Sequence, residues 1–135
     1  RVLFGPGGRA YVFLIYGVHH CLNLVAEAEG TPGCVLIRAL EPIAGIGWMR
    51  RRRPGISGIT ELASGPGNLT RAMGIDGSHN GVDVTRGPLT VRALPFEPAF
   101  EIRTGTRVGI RFDRNLPLRF FIAGNGSVSH AGRLC

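Results

Sequence analysis

No lysine occurs in this chain; all sixteen basic residues are arginine. Without an ε-amine, no side chain can form a Schiff base with a carbonyl carbon, and only the terminal amine remains for that chemistry. Any bond cleavage at a sugar must then use water or that amine. Cysteine is also scarce. Cys21, Cys34 and Cys135 are an odd number without close pairing, which argues against a disulfide scaffold and fits a reducing compartment. Cys21 and Cys34 lie within apolar runs and are expected to be buried as small hydrophobes. No apolar run approaches the ~20 residues of a membrane span, and the start carries no signal-peptide pattern. The chain opens on Arg1 rather than Met and reads as a partial product. No Ser-His-Asp arrangement, paired-carboxylate motif or phosphate-loop fingerprint is present, and none of the nine acidic residues is marked as a general base.

What is present is positive charge. The net charge is +7 and the pI about 10.9. Such a balance favours a polyanion, most simply nucleic acid. Arginine forks suit phosphates and planar acceptors, although a GC-rich genome produces the same bias. The 135 residues, 44% of them hydrophobic, suffice for one domain with a real core.

Gly5-Pro-Gly-Gly8 reads as a turn. Ala10 to Ile15 alternates, with Tyr11, Phe13 and Ile15 on one face and Val12 and Leu14 on the other. Val18 to Ala26 reads as the return strand of a β-hairpin, and Cys34 to Leu40 as a third strand. Pro42 suits the first position of a helix running towards Arg50, with Ile43, Ile46 and Met49 on one face. Arg50 to Arg53 would then oppose the dipole at its carboxyl end; a phosphate-tracking patch is the other explanation. Pro54 to Thr60 reads as a loop, and Ser64 as the N-cap of a short helix ended by Gly74. The amino end of such a helix suits a phosphate, and an ordinary cap explains it equally. Val82–Val84, Leu89–Leu94, Glu101–Arg103, Arg107–Arg111 and Leu118–Ala123 are further strand candidates. The expected fold is α+β, a mainly antiparallel, curved or barrel-like sheet with a few flanking helices and a protruding hairpin.

Several residues stand out from this pattern. The hairpin tip is Tyr16-Gly17. Tips usually carry Gly, Asn, Asp or Ser, so an aromatic there needs a reason. In a basic protein one reason is a wedge that enters the DNA minor groove and pushes a base out of the stack. Arg38 interrupts an apolar strand. Because a buried guanidinium is costly unless paired, it either reaches a carboxylate or phosphate in a site or lies on the outer face of an edge strand. Glu41 is one partner for it, and also suits the start of the following helix. Asn23 is a second polar residue in an apolar strand; it either meets a base edge or satisfies a nearby backbone group. Phe13 either packs in the core or stacks on a flipped base. His19 and His20 point to opposite strand faces, and no ligand spacing supports a metal.

These segments together resemble the alkyladenine (3-methyladenine) DNA glycosylases. The likeness runs through Tyr11-Val-Phe-Leu-Ile-Tyr-Gly-Val-His-His-Cys-Leu-Asn23 and Cys34-Val-Leu-Ile-Arg-Ala-Leu-Glu-Pro42. It continues in order through Ser64–Leu69, Asn80–Asp83, Arg107–Ile110, Leu118–Ile122 and Asn125–Ser129. The resemblance implies a monofunctional enzyme that needs no cofactor or metal. It would act as a monomer on double-stranded DNA with an alkylated or deaminated purine, away from membranes, and in a bacterium in the cytoplasm at the nucleoid. Tyr16 matches the tyrosine that fills the gap left by the flipped nucleotide. Phe13 matches a pocket wall, and Asn23 the asparagine that crowds the guanine amino group. Arg38 matches the arginine beside the attacking water, and Ile122 the residue whose backbone carbonyl helps to hold that water. Gly17, His19, Arg50 and Arg51 fall to DNA contact.

The chain departs from the family's pattern in one respect. The family's general base is a glutamate in a Glu-Ala-Tyr type motif upstream of the hairpin. That motif is not in this chain, and neither Glu27 nor Glu29 matches it. The expectation is therefore a single domain over residues 1–135, incomplete at its amino end, that cleaves the N-glycosidic bond with water; the alternative is a module that binds damage without cutting.

Overall fold

The computed structural model describes residues 1–129; Cys135 lies outside them. Alternating side chains and a tight turn build the central hairpin. Strand β1 (Ala10–Ile15) pairs antiparallel with β2 (His19–Val25), placing Tyr11 opposite Asn23, Val12 opposite Leu22 and Phe13 opposite Cys21. Strand β3 (Cys34–Leu36) adds to the other edge of β2, with Leu36 opposite Asn23 and Cys34 opposite Val25.

Because successive residues point to opposite faces, this register separates two sides. Ala10, Val12, Leu22 and the half-buried Leu24 face a helical layer. That layer is α1 (Ile46–Arg52), α2 (Ile59–Leu62) and α3 (Pro66–Met73). Met49, Leu62, Leu69 and Ala72 from the helices complete the core with Ala63, Ile75 and Val84. Leu62 and Leu69 are the largest fully buried side chains. Short 3-10 turns lie at Val2–Phe4 and Gly77–His79.

A second sheet, β4 (Ile102–Gly105) with β5 (Arg119–Ile122), is also antiparallel. Among the described residues neither sheet closes into a barrel. The mixed, antiparallel character of the expected fold therefore stands, and its barrel-like closure does not.

Other elements differ from expectation for local reasons. Gly45 adopts a left-handed conformation (φ 71°), so α1 starts at Ile46 rather than Pro42. Ile43 consequently lies outside the helix and is 90% exposed, while Met49 is buried. Gly65, not Ser64, caps α3, with Pro66 in the first turn; Ser64 accepts instead, from Asn68 Nδ2. Strand β3 ends at Leu36, and three residues on the chain turns to the helical layer, where Ala39 bridges Ser64 and Leu40 N–H donates to Ala63 O.

Residues 82–84 stop after one bridge, Arg9 to Asp83. The Asp83 carboxylate accepts from both Thr85 N–H and Thr85 Oγ1, which turns the chain. Among the described residues Leu89–Leu94 keeps a single backbone bond, Val91 N–H to Val84 O, and Pro88 and Pro95 flank it. Arg107–Arg111 is broken at Gly109 (φ 79°). The loop expected over 54–60 runs into α2.

Burial makes the helical layer's contribution measurable. Leu69→Ala should lower unfolding free energy by about 2–5 kcal/mol, read as a shift in urea midpoint. A loss below about 1 kcal/mol would contradict the packing described.

Candidate nucleic-acid interface

The turn between β1 and β2 is closed by Val18 N–H donating to Ile15 O at 3.1 Å. Its two central residues, Tyr16 (φ 53°) and Gly17 (φ 66°), both lie in the left-handed region, as a type I′ turn requires. Glycine adopts this freely; tyrosine does so at a cost. The Tyr16 ring gains no burial in return and is 90% exposed. Leu14 and Val18 are exposed beside it. The apex is thus an apolar knob on a two-stranded ribbon, the shape of a groove-inserted wedge.

The sheet face turned away from the helices carries different chemistry. Tyr11 and Phe13 stand in line on it, ring centroids 5.1 Å apart. Directly opposed residues on neighbouring strands share a face, so Cys21, Asn23 and Leu36 join them. Asn23 is 4% exposed and fully engaged: Nδ2 donates to Tyr11 O at 3.1 Å, and Oδ1 accepts from Cys34 Sγ at 3.7 Å. Both aromatic rings are half-buried.

Beyond Leu36 this face opens into a cleft of about 640 Å³ between residues 34–41 and β5. Arg38 and Ile122 both line it. Arg38 is in the cleft rather than on an outer strand face, and its Nε is buried with no hydrogen-bond partner among the described residues. Desolvation holds this guanidinium below its ordinary range, and the positive charge of Arg119 adds to the effect.

Arg119 is 5% exposed, stacks over Phe121 at 4.8 Å and donates to Ser129 O. Burial pushes the Cys21 thiol up, against the lowering field of Arg38. Glu41 does not pair with Arg38, nor does it serve α1. Its Oε2 accepts from Asn125 Nδ2 at 3.2 Å across the cleft mouth. The Ile122 carbonyl accepts from Asn125 N–H at 3.4 Å, a long bond.

Phe13 and Asn23 lie outside the cleft lining but on the face that leads into it. His19 is exposed next to the hairpin turn, opposite Ile15, its ring against Gly67 in the first turn of α3. A Cβ on that glycine would come within 3.1 Å of His19. Cys34, expected to be buried, is exposed, because β3 is an edge strand that borders the cleft.

The arginine cluster divides into two kinds. Arg52 donates to Ala72 O, and Arg53 donates to both Glu61 O and Leu62 O at 2.5 and 2.8 Å. These two tie the helices together. Arg50 reaches only Ser57 O on the exposed surface, and Arg51 stacks over the exposed Trp48 at 4.7 Å. Arg119 was not singled out from the sequence, although it interrupts an apolar strand as Arg38 does. Cys34 gave no polar signal at all.

Among the described residues no group of three His, Cys, Asp or Glu could hold a metal ion. Nor, among the described residues, is any helix long and apolar enough to cross a membrane.

An exposed apolar hairpin apex, an aromatic sheet face and a cleft lined by Arg38 and Arg119 thus lie on one basic chain. Comparison with known proteins identifies its family. The family model for methylpurine-DNA glycosylase (MPG) matches residues 1–126, and the chain belongs to that family. A protein of Methanoculleus marisnigri named "Putative 3-methyladenine DNA glycosylase" is 48% identical over 132 residues, 96% of this chain and 68% of its own length. Proteins of the same name from Bradyrhizobium diazoefficiens and Rhodopseudomonas palustris are each 46% identical over 129 residues. The chain covers 63% and 62% of their lengths, so it spans about two thirds or less of these relatives.

The two kinds of arginine should separate by mutation. Arg53→Met should cost about 1–3 kcal/mol, the value of hydrogen bonds to a charged group. Arg51→Ala should stay within about 0.5 kcal/mol. Chemical denaturation measures both, and equal effects would contradict the division.

Proposed function

We propose that this protein is a DNA repair glycosylase that removes alkylated or deaminated purines by hydrolysing the N-glycosidic bond. The observation that carries the proposal is the exposed Tyr16 ring, held at a hairpin apex by a turn that tyrosine does not favour. Family membership supports the reading. Arginines on the surface, Arg50 and Arg51 among them, meet backbone phosphates. The ribbon enters the minor groove with Gly17 and His19 near the sugar-phosphate walls. Tyr16 then occupies the space of the extruded nucleotide.

The purine stacks on the Phe13 side of the sheet face, beneath Asn23. Water near the Arg38 guanidinium and the Ile122 carbonyl attacks the anomeric carbon. As the new C–O bond forms, the C–N bond breaks and its electron pair stays on the purine nitrogen. A cationic alkylated purine leaves as a neutral base. The water proton passes to a carboxylate; in the family's pattern that group is a glutamate in a Glu-Ala-Tyr type motif upstream of the hairpin, which neither Glu27 nor Glu29 matches.

The absence of lysine is consistent with water rather than an amine as nucleophile. The partner is duplex DNA with one damaged purine, bound by a single copy of the chain without a cofactor. A general base contributes ~10²–10⁴-fold in rate, so binding and cleavage are separable properties.

Tyr16→Ala tests the reading. Removing a stacking ring costs about 1–3 kcal/mol. Binding to a duplex with a central abasic analogue should therefore weaken about tenfold or more, while binding to undamaged duplex changes little. Equal affinity of the variant and the parent for the abasic duplex would count against the wedge.

A further inference from the structure

We infer that Cys34 is a positioning residue for purine selection, holding the Asn23 side-chain amide in one orientation through its thiol. The inference rests on the glycosylase reading above and concerns how the same site discriminates between bases.

An asparagine amide is nearly symmetric in shape but not in chemistry: one end donates and the other accepts. Which end faces a base edge decides which bases it tolerates. Here the donor end is tied to Tyr11 O in β1, and the acceptor end is tied to Cys34 Sγ in β3. Asn23 sits between them on the central strand, with β1 on one side and β3 on the other. A rotation of the amide by half a turn would bring Nδ2 to the thiol and Oδ1 to the Tyr11 carbonyl. Two acceptors would then face each other inside a buried site, and an unsatisfied buried acceptor is costly.

The Tyr11 contact alone leaves Oδ1 without a donor; the thiol supplies it. Partial desolvation of the Cys34 thiol in an otherwise exposed residue raises it above its ordinary range, so it keeps its proton and remains a donor at neutral pH. Cys34 also borders the cleft that holds Arg38 and Ile122. The clamp therefore stands between the base-facing amide and the cleft.

The test uses the full chain and two duplexes identical except for one base, hypoxanthine or guanine, which differ by the 2-amino group. The ratio of the two affinities reads the amide's orientation. Cys34→Ala should reduce that ratio roughly three- to tenfold, the worth of one hydrogen bond. Cys34→Ser, which restores an O–H donor, should recover most of it. The thermal midpoint of each variant identifies general destabilisation.

A second readout avoids DNA and keeps the test valid should Cys34→Ala fold poorly. The Asn23 side-chain NH₂ signals in a ¹⁵N spectrum should stay protected from solvent exchange in the parent and in Cys34→Ser, and should lose protection in Cys34→Val. An unchanged affinity ratio in Cys34→Ala would overturn the inference, as would an equal loss of affinity for both duplexes. A parent chain that binds the two duplexes equally would bring down the base-selection reading itself, a result visible before any variant is made.

Discussion

The antiparallel register of β1 against β2 is the constraint on which the rest of the molecule depends. Because side chains alternate with a period of two, a slip of one residue would exchange the faces. Were β1 to slip, Ala10 and Val12 would leave the helical core and Tyr11 and Phe13 would enter it, away from Cys21 and Asn23 on β2. The buried Ala10 leaves room for close packing, and the register is closed at its far end by the Ile15–Val18 turn. The same pairing that builds the core therefore decides where the apex lies and which residues face the cleft. Tyr16 is strained and exposed at the turn that joins the two strands.

Positive charge is distributed in three ways, and the differences matter more than the net value. Arg52 and Arg53 are spent on carbonyls that join helices. Arg50 and Arg51 stay at the surface. Arg38 and Arg119 are drawn into the cleft, where the charge of Arg119 helps to hold the Arg38 guanidinium below its ordinary range. The carboxylate bordering that cleft, Glu41, is engaged by Asn125. A cleft with this charge balance favours an anionic group in it.

Much of this was legible in the sequence where local chemistry decides the outcome. Alternation gave β1 and β2, Pro66 and Gly74 bracketed α3 closely, and the Tyr16-Gly17 pair announced the turn. Arg38 and Asn23 were visible as polar breaks in apolar strands. Sequence reasoning failed where one residue's backbone overruled a pattern. Gly45 delayed α1 past Pro42, Gly109 broke the 107–111 strand, and the Asp83 side chain ended another. It also failed where the partner was distant. Nothing local ties Cys34 to Asn23, or Glu41 to Asn125 some 84 residues away. Barrel closure was inferred from strand number alone, and several of those strands do not form.

The central claim is that the hairpin apex, rather than any other exposed aromatic surface, enters the duplex. Trp48, Phe96, Phe112 and Phe120 are all exposed as well. The most direct measurement is photo-cross-linking from 5-iodouracil placed next to an abasic analogue, with the attached peptide mapped by mass spectrometry. Attachment at Tyr16 is the predicted result. Attachment at Trp48 or one of the phenylalanines, with none at Tyr16, would contradict the account.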